Sequence, residues 1–115
     1  MNAPALRARV ESGAEHEDPS DERVRELLTA LAGFAEEFLV ITRTADPEGQ
    51  TYLQVAHSEA PPWNFVVEYR DGGPDRHFQA FTDQVDVLHR TVTGWMSQRP
   101  GWRDLLEWQP LELRP

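Results

Sequence analysis

Thr51-Tyr52-Leu53-Gln54-Val55-Ala56-His57 and, after a break at Ser58–Pro62, Trp63-Asn64-Phe65-Val66-Val67-Glu68-Tyr69-Arg70 are the two stretches that decide the fold. Both alternate. In the first, Leu53, Val55 and His57 oppose Tyr52, Gln54 and Ala56; in the second, Trp63, Phe65, Val67 and Tyr69 oppose Asn64, Val66, Glu68 and Arg70. A period of two places successive side chains on opposite faces of a strand. Asp71-Gly72-Gly73-Pro74 then has turn chemistry, and Asp75 to Thr82 reads as a further strand. Upstream, Leu39-Val40-Ile41-Thr42-Arg43-Thr44 is β-branched and short, and Asp46-Pro47-Glu48-Gly49 supplies the turn that follows it. Four strands joined by short turns predict an antiparallel meander.

Helical spacing flanks the strands. Val24, Leu27, Leu28, Leu31, Ala35 and Phe38 recur at intervals of three, four and seven, which predicts an amphipathic helix over 20–37. Either Asp18 before Pro19, or Ser20 before Asp21 and Glu22, can cap it. A second helix opens at Thr82-Asp83, carries Val85, Leu88, Val92, Trp95 and Met96 on one stripe, and stops at Pro100-Gly101. The aromatic segment from Trp102 to Leu113 reads equally as a turn of helix or as a fifth strand. The expected order is α-β-β-β-β-α, an α+β fold with both helices on one face of the meander. Residues 1–19 hold two arginines against four acids and little that asks for burial, so they are expected to be a mobile acidic tail, with 20–115 as one domain.

Composition narrows the chemistry. The chain has 115 residues, no cysteine, and 11 basic residues against 20 acidic ones, for a net charge of −9. Lack of cysteine excludes disulfides, thiolate metal sites and thiol nucleophiles. All 11 cations are arginine, which removes lysine Schiff-base chemistry. So negative a surface opposes phosphate backbones, so no nucleic-acid partner is expected. Mean hydropathy is −0.61, no apolar run approaches 18 residues, and the opening residues lack a signal-type apolar core. A soluble, cytoplasmic protein with no membrane partner is the expectation.

No residue set announces a reaction. The serines at 12, 20, 58 and 97 lie in no nucleophile elbow, and His57 and Ser58 point to opposite faces of one strand. His57, His77 and His89 fall on two strands and a helix without metal-ligand spacing, and each is expected at the surface or half-buried. The cluster Glu15-His16-Glu17-Asp18 reads as solvated. Glu68 reads as solvated too, with Arg70 as its same-face partner. Gly72-Gly73-Pro74 precedes a strand, not the helix a phosphate loop would open, so it is a hairpin turn. No metal, cofactor or catalytic set is expected.

Interaction chemistry remains. Four tryptophans are many for so short a chain. Trp63 and Trp95 suit core packing, whereas Trp102 and Trp108 suit either the core or a binding surface. With Tyr69 and Arg70 they, and Trp63, form the candidate partner-binding set. Three functions fit: a protein-binding module, an immunity-type protein masking a basic toxin, and a small-ligand domain around Tyr69, Arg70 and His77. In the last, Arg70 and Arg76 could hold a carboxylate.

The pieces Thr51-Tyr52-Leu53-Gln54, Val67-Glu68-Tyr69 and Gly94-Trp95…Arg99-Pro100-Gly101-Trp102 resemble the TY-Chap domains, the Tir-chaperone/YbjN-like α+β domains common in actinobacteria. The gap between Trp95 and Pro100 is longer than in that pattern. The resemblance implies no enzyme but a chaperone-like module that can dimerise and holds an extended client segment. It also implies that Tyr52, Gln54, Glu68, Trp95 and Trp102 support the fold first and make contacts second.

Overall fold

The computed structural model describes residues 5–59 and 64–111. Its elements in chain order are β1 (Leu6–Val10), β2 (Glu15–Glu17), α1 (Asp21–Ala32), β3 (Phe38–Arg43), β4 (Thr51–His57), β5 (Phe65–Asp71), β6 (His77–Thr82), α2 (Val85–Met96) and β7 (Gln109–Pro110). The strands form one antiparallel sheet in the order β2-β1-β3-β4-β5-β6-β7. The α+β class, the meander β3 to β6 and the two helices on one sheet face are as the periodicity predicts. Among the described residues no helix is long and apolar enough to cross a membrane.

Residues 5–17 correct the expected mobile tail, for they pair into a hairpin and join the sheet beside β3. Leu6-Arg7-Ala8-Arg9-Val10 alternates like the other strands, but its inward residues include a small alanine and its outward ones are charged. Leu6, Ala8 and Val10 are buried against Leu39 and Ile41. Asp18 does not cap the helix; with φ +45° it turns back and its Oδ1 accepts the N–H groups of Ala5 and Leu6 at 2.8 and 2.9 Å. Ser20 is the cap, its Oγ accepting from the Arg23 N–H at 3.0 Å.

The first helix ends at Ala32 rather than 37. Gly33 closes it, Phe34 enters the left-handed region at φ +63°, and the Ala35 N–H bonds back to the Ala30 carbonyl at 2.9 Å. That 6→1 bond, with the Phe34 N–H donating to Leu31, is a Schellman stop with phenylalanine where glycine is usual. The chain is thereby released to make β3 from Phe38. The second helix begins at Val85, with Gln84 and not Thr82 or Asp83 at its N-cap position, and the Thr82 hydroxyl accepts the Gln84 N–H at 3.2 Å.

One face of the sheet is packed. Leu39, Ile41, Leu53, Val55, Phe65, Val67 and Tyr69 point toward Val24, Leu27, Leu28 and Leu31 of α1 and Leu88, Val92 and Trp95 of α2. Buried Thr91 and Thr93 satisfy their hydroxyls on the carbonyls of Val87 and His89, one turn back, at 2.8 Å. Between the helices, His89 accepts or donates at both ring nitrogens, to Arg25 and to the Asp21 carbonyl. The C-terminal aromatic segment resolves into both expected forms, a 3-10 turn at Trp102–Leu105 and then the two-residue strand β7.

Candidate protein-binding surface

The opposite face of the sheet carries no helix among the described residues. Its side chains line up in rows because the register of β3 to β6 is continuous. Phe38, Ala56, Val66 and Phe81 stand side by side across four strands, an apolar row of half-buried side chains. Beside it run Val40, Gln54, Glu68 and Gln79. The next row is Thr42, Tyr52, Arg70 and His77, continued onto β1 by Arg7. Directly opposed side chains lie about 4.5–5.5 Å apart at Cβ, so each row is a contiguous strip.

The polar rows are tied together at His77, which corrects the surface or half-buried placement expected for it: it is 3 % exposed. Arg70 has only donors, so its Nε–H donates to Nδ1 of His77 at 3.1 Å and the ring proton sits on Nε2. Nε2–H then donates to Glu68 Oε1 at 2.8 Å. Arg70 also donates to Gln50 Oε1 at 2.6 Å, and its guanidinium lies 5.7 Å from the Tyr52 ring centre. Glu68 is therefore not a solvated partner of Arg70; the two share the histidine between them. Gln50, Arg70, His77 and Glu68 thus form one continuous chain of hydrogen bonds. Tyr52, Gln54 and Glu68 all belong to this face, while Trp95 is buried with the Arg43 guanidinium 4.2 Å over its ring.

The aromatic candidates go elsewhere. Tyr69 is 4 % exposed on the packed face and sits in a ring cluster with Phe78 at 4.9 Å, Trp102 at 5.1 Å and Trp108 at 4.8 Å between centroids. Trp102 and Trp108 meet edge to face at 5.8 Å and are half-buried against the core. Arg103 lies over the Tyr69 and Phe78 rings. Burial raises the Tyr69 hydroxyl pKa above its ordinary value, with the Arg103 charge opposing. The structure thus separates the expected set: Tyr69, Trp102 and Trp108 pack together against the helices, Arg70 faces the other way, and Trp63 lies outside the described residues. Tyr69 and Arg70 also cannot share a ligand pocket, being on opposite faces, and Arg76 is engaged with Asp71 at 2.7 Å. His57 and His77 are kept apart by β5. Among the described residues no group of three or more His, Asp or Glu side chains could hold a metal.

Phe38 belongs to β3 and not to the helical stripe its spacing suggests, and Val66 and Phe81 were not singled out by sequence reasoning. The signal of the last two lies in the same alternation that located the strands: an apolar residue on the polar side of each. Compared with known protein families, curated proteins and solved structures, the chain gives no match.

Proposed function

We propose that the chain is a non-enzymatic protein-binding module of chaperone-like type, which takes a segment of a client protein against the uncovered face of its sheet. The observation that supports this reading is the row Phe38–Ala56–Val66–Phe81, apolar and half-exposed beside strips of amide and charged groups. Apolar anchors bordered by polar side chains are the usual anatomy of a protein-recognition patch. The ion and hydrogen-bond set at His77 supports it too, because a histidine with both nitrogens occupied holds Arg70, Glu68 and, through Arg70, Tyr52 in a fixed array. Such preorganisation lowers the cost of ordering side chains on binding.

Capture from the native host tests this. Wild-type chain is expected to retain one stoichiometric protein, and Val66→Lys, which puts a charge into the apolar row without touching the packed face, is expected to lose it while keeping its melting temperature within a few degrees. A partner held equally by both chains would overturn the assignment to this face.

An immunity-type role, masking a basic toxin, is a second reading favoured by the net charge of −9. Its mark would be an association rate that falls steeply between 50 and 500 mM salt, since long-range charge steers encounter.

A further inference from the structure

The last strand leaves part of its neighbour's edge bare. β7 pairs only with Phe78 and Gln79, and just beyond it the Leu111 N–H donates to the His77 carbonyl at 2.8 Å. Main-chain groups alternate in direction along a strand, so those of His77, Gln79 and Phe81 all point to this side of β6. Among the described residues no strand pairs with Phe81 there. A groove of about 770 Å³ opens along the bare stretch, between β6, the start of α2 and the 3-10 turn at Trp102–Leu105.

Its chemistry is specific. Leu105 and Leu106 line it together with Gln79 and Gln84, and Asp83, Asp104 and Glu107 stand around it. None of those three carboxylates has an ion-pair partner among the described residues. The neighbouring Arg103 is drawn instead over the rings of Tyr69 and Phe78. An unpaired strand edge is a template for another chain, and here the groove beside it mixes apolar with amide side chains and is negative around.

We infer that this groove binds an extended cationic segment of a protein partner, which adds to the edge of β6 and sets Arg or Lys side chains against Asp83, Asp104 and Glu107. The inference rests on the protein-binding reading and names the partner's chemistry, but it uses the sheet edge, not the open face. Strand addition supplies main-chain hydrogen bonds, and the period of two sends alternate side chains into the groove and toward the carboxylates. Of the main-chain groups on this side of β6, those of Phe81 alone face no strand among the described residues, so main-chain bonds are few and the charges must carry much of the affinity. A second copy of this chain is the poorer occupant, because two bodies of charge −9 repel. The same repulsion turns away nucleic acid.

The test uses the full chain and a fluorescein-labelled ten-residue peptide of alternating Arg and Val, with an Asp/Val peptide as its counterpart. The cationic peptide is expected to bind and the acidic one not. Raising salt from 50 to 500 mM, or the double substitution Asp104→Asn/Glu107→Gln, should weaken binding at least tenfold. Amide resonances of Gln79–Asp83 and Leu105–Leu106 should shift on titration. Phe81→Pro, which removes the edge N–H, should weaken binding while the exposed-carboxylate variants keep the test valid if it misfolds. Unchanged affinity in the carboxylate variant, or shifts centred on Glu15–Glu17 at the other sheet edge, would overturn the inference. Equal binding of both peptides would mean that the carboxylates guard the edge without selecting charge, and would also overturn it. The two proposals fail separately. A host partner lost by Val66→Lys but bound alike by wild type and Asp104→Asn/Glu107→Gln overturns the groove and leaves the open face. A partner lost by the carboxylate variant and kept by Val66→Lys does the reverse.

Discussion

A Cβ placed on Gly94 would stand 2.6 Å from the Cβ of Trp102. The second helix and the 3-10 turn after it therefore touch backbone to backbone at this point, and glycine is what the approach permits. The contact seats Trp102 on Tyr69 and, through it, the whole ring cluster of the packed face. It explains in physical terms why Gly94 and Trp102 occur together in the sequence.

Gly94→Ala should consequently destabilise the protein although alanine is the better helix former. Propensity favours alanine by ~1 kcal/mol, whereas forcing a methyl group into an occupied space costs ~1–3 kcal/mol. The atom in the way is a Cβ fixed to the main chain, not the free end of a side chain, so the larger figure applies and the net loss is about 2 kcal/mol. Thermal unfolding followed by tryptophan fluorescence reads it. A melting temperature at or above that of the wild type would show that the turn moves aside freely.

Phe34→Gly and Phe34→Ala should differ in a way that isolates backbone strain. Phe34 is 72 % exposed and stacks on His57 with ring centres 4.2 Å apart. Both variants lose the stack, but only glycine relieves the φ of +63°, which costs a non-glycine residue ~1–2 kcal/mol. The glycine variant is expected to be more stable than the alanine variant by about 1 kcal/mol in urea unfolding. Equal midpoints would mean that the helix end relaxes once the ring is gone.

Glu68→Leu should cost more than Glu68→Gln. The amide oxygen of glutamine can still accept the His77 Nε2–H, whereas leucine leaves that buried donor without a partner, at ~1–3 kcal/mol. Glu68→Gln is expected within ~1 kcal/mol of wild type by chemical denaturation. The reverse order would show that the His77 Nε2–H does not depend on Glu68 for its partner.

Asp46 gives the clearest dependence on pH. Its carboxylate accepts from the Thr51 hydroxyl at 2.8 Å and from the N–H groups of Glu48 and Gln50 at 3.0 Å, closing the turn between β3 and β4. These bonds, that from Thr51 foremost, hold its pKa below the ordinary carboxylate value. A depressed folded value means stabilisation that is complete above the unfolded pKa of ~4 and lost as pH falls through the folded one. Asp46→Asn should therefore be less stable than wild type at pH 7, with the difference shrinking in acid. A difference constant from pH 7 to pH 3 would contradict the assignment.

How much of this was legible varies with what each residue faces. β4 and β5 announce themselves because apolar residues alternate with polar ones and glycine-bearing turns bound them. The first helix shows its stripe, but its end rests on Gly33-Phe34, and phenylalanine gives no hint of a left-handed conformation. β1 hides because Arg7 and Arg9 occupy its open-face positions and leave only Leu6, Ala8 and Val10 to signal a strand within an acidic stretch. Trp102 and Trp108 carry no pattern that tells a packed ring from a presented one; the turn that folds them back depends on the close approach at Gly94. The open face was the least legible. Glu68, Arg70 and His77 each look like an ordinary surface residue until the pairing of Arg70 with His77 and of Glu68 with Gln79 brings them into one array. Register between strands is a long-range property, and alternation within a strand does not encode it.

The central claim, that a protein partner covers the open sheet face, is tested most directly by hydroxyl-radical footprinting of the chain alone and with its captured partner. Oxidation of Phe38, Tyr52 and Phe81 is predicted to fall severalfold in the complex, while the rate at exposed Phe34, outside that face, stays as it is in the free chain. Unchanged oxidation at Phe38, Tyr52 and Phe81, with protection on the outer surfaces of the two helices instead, would contradict it.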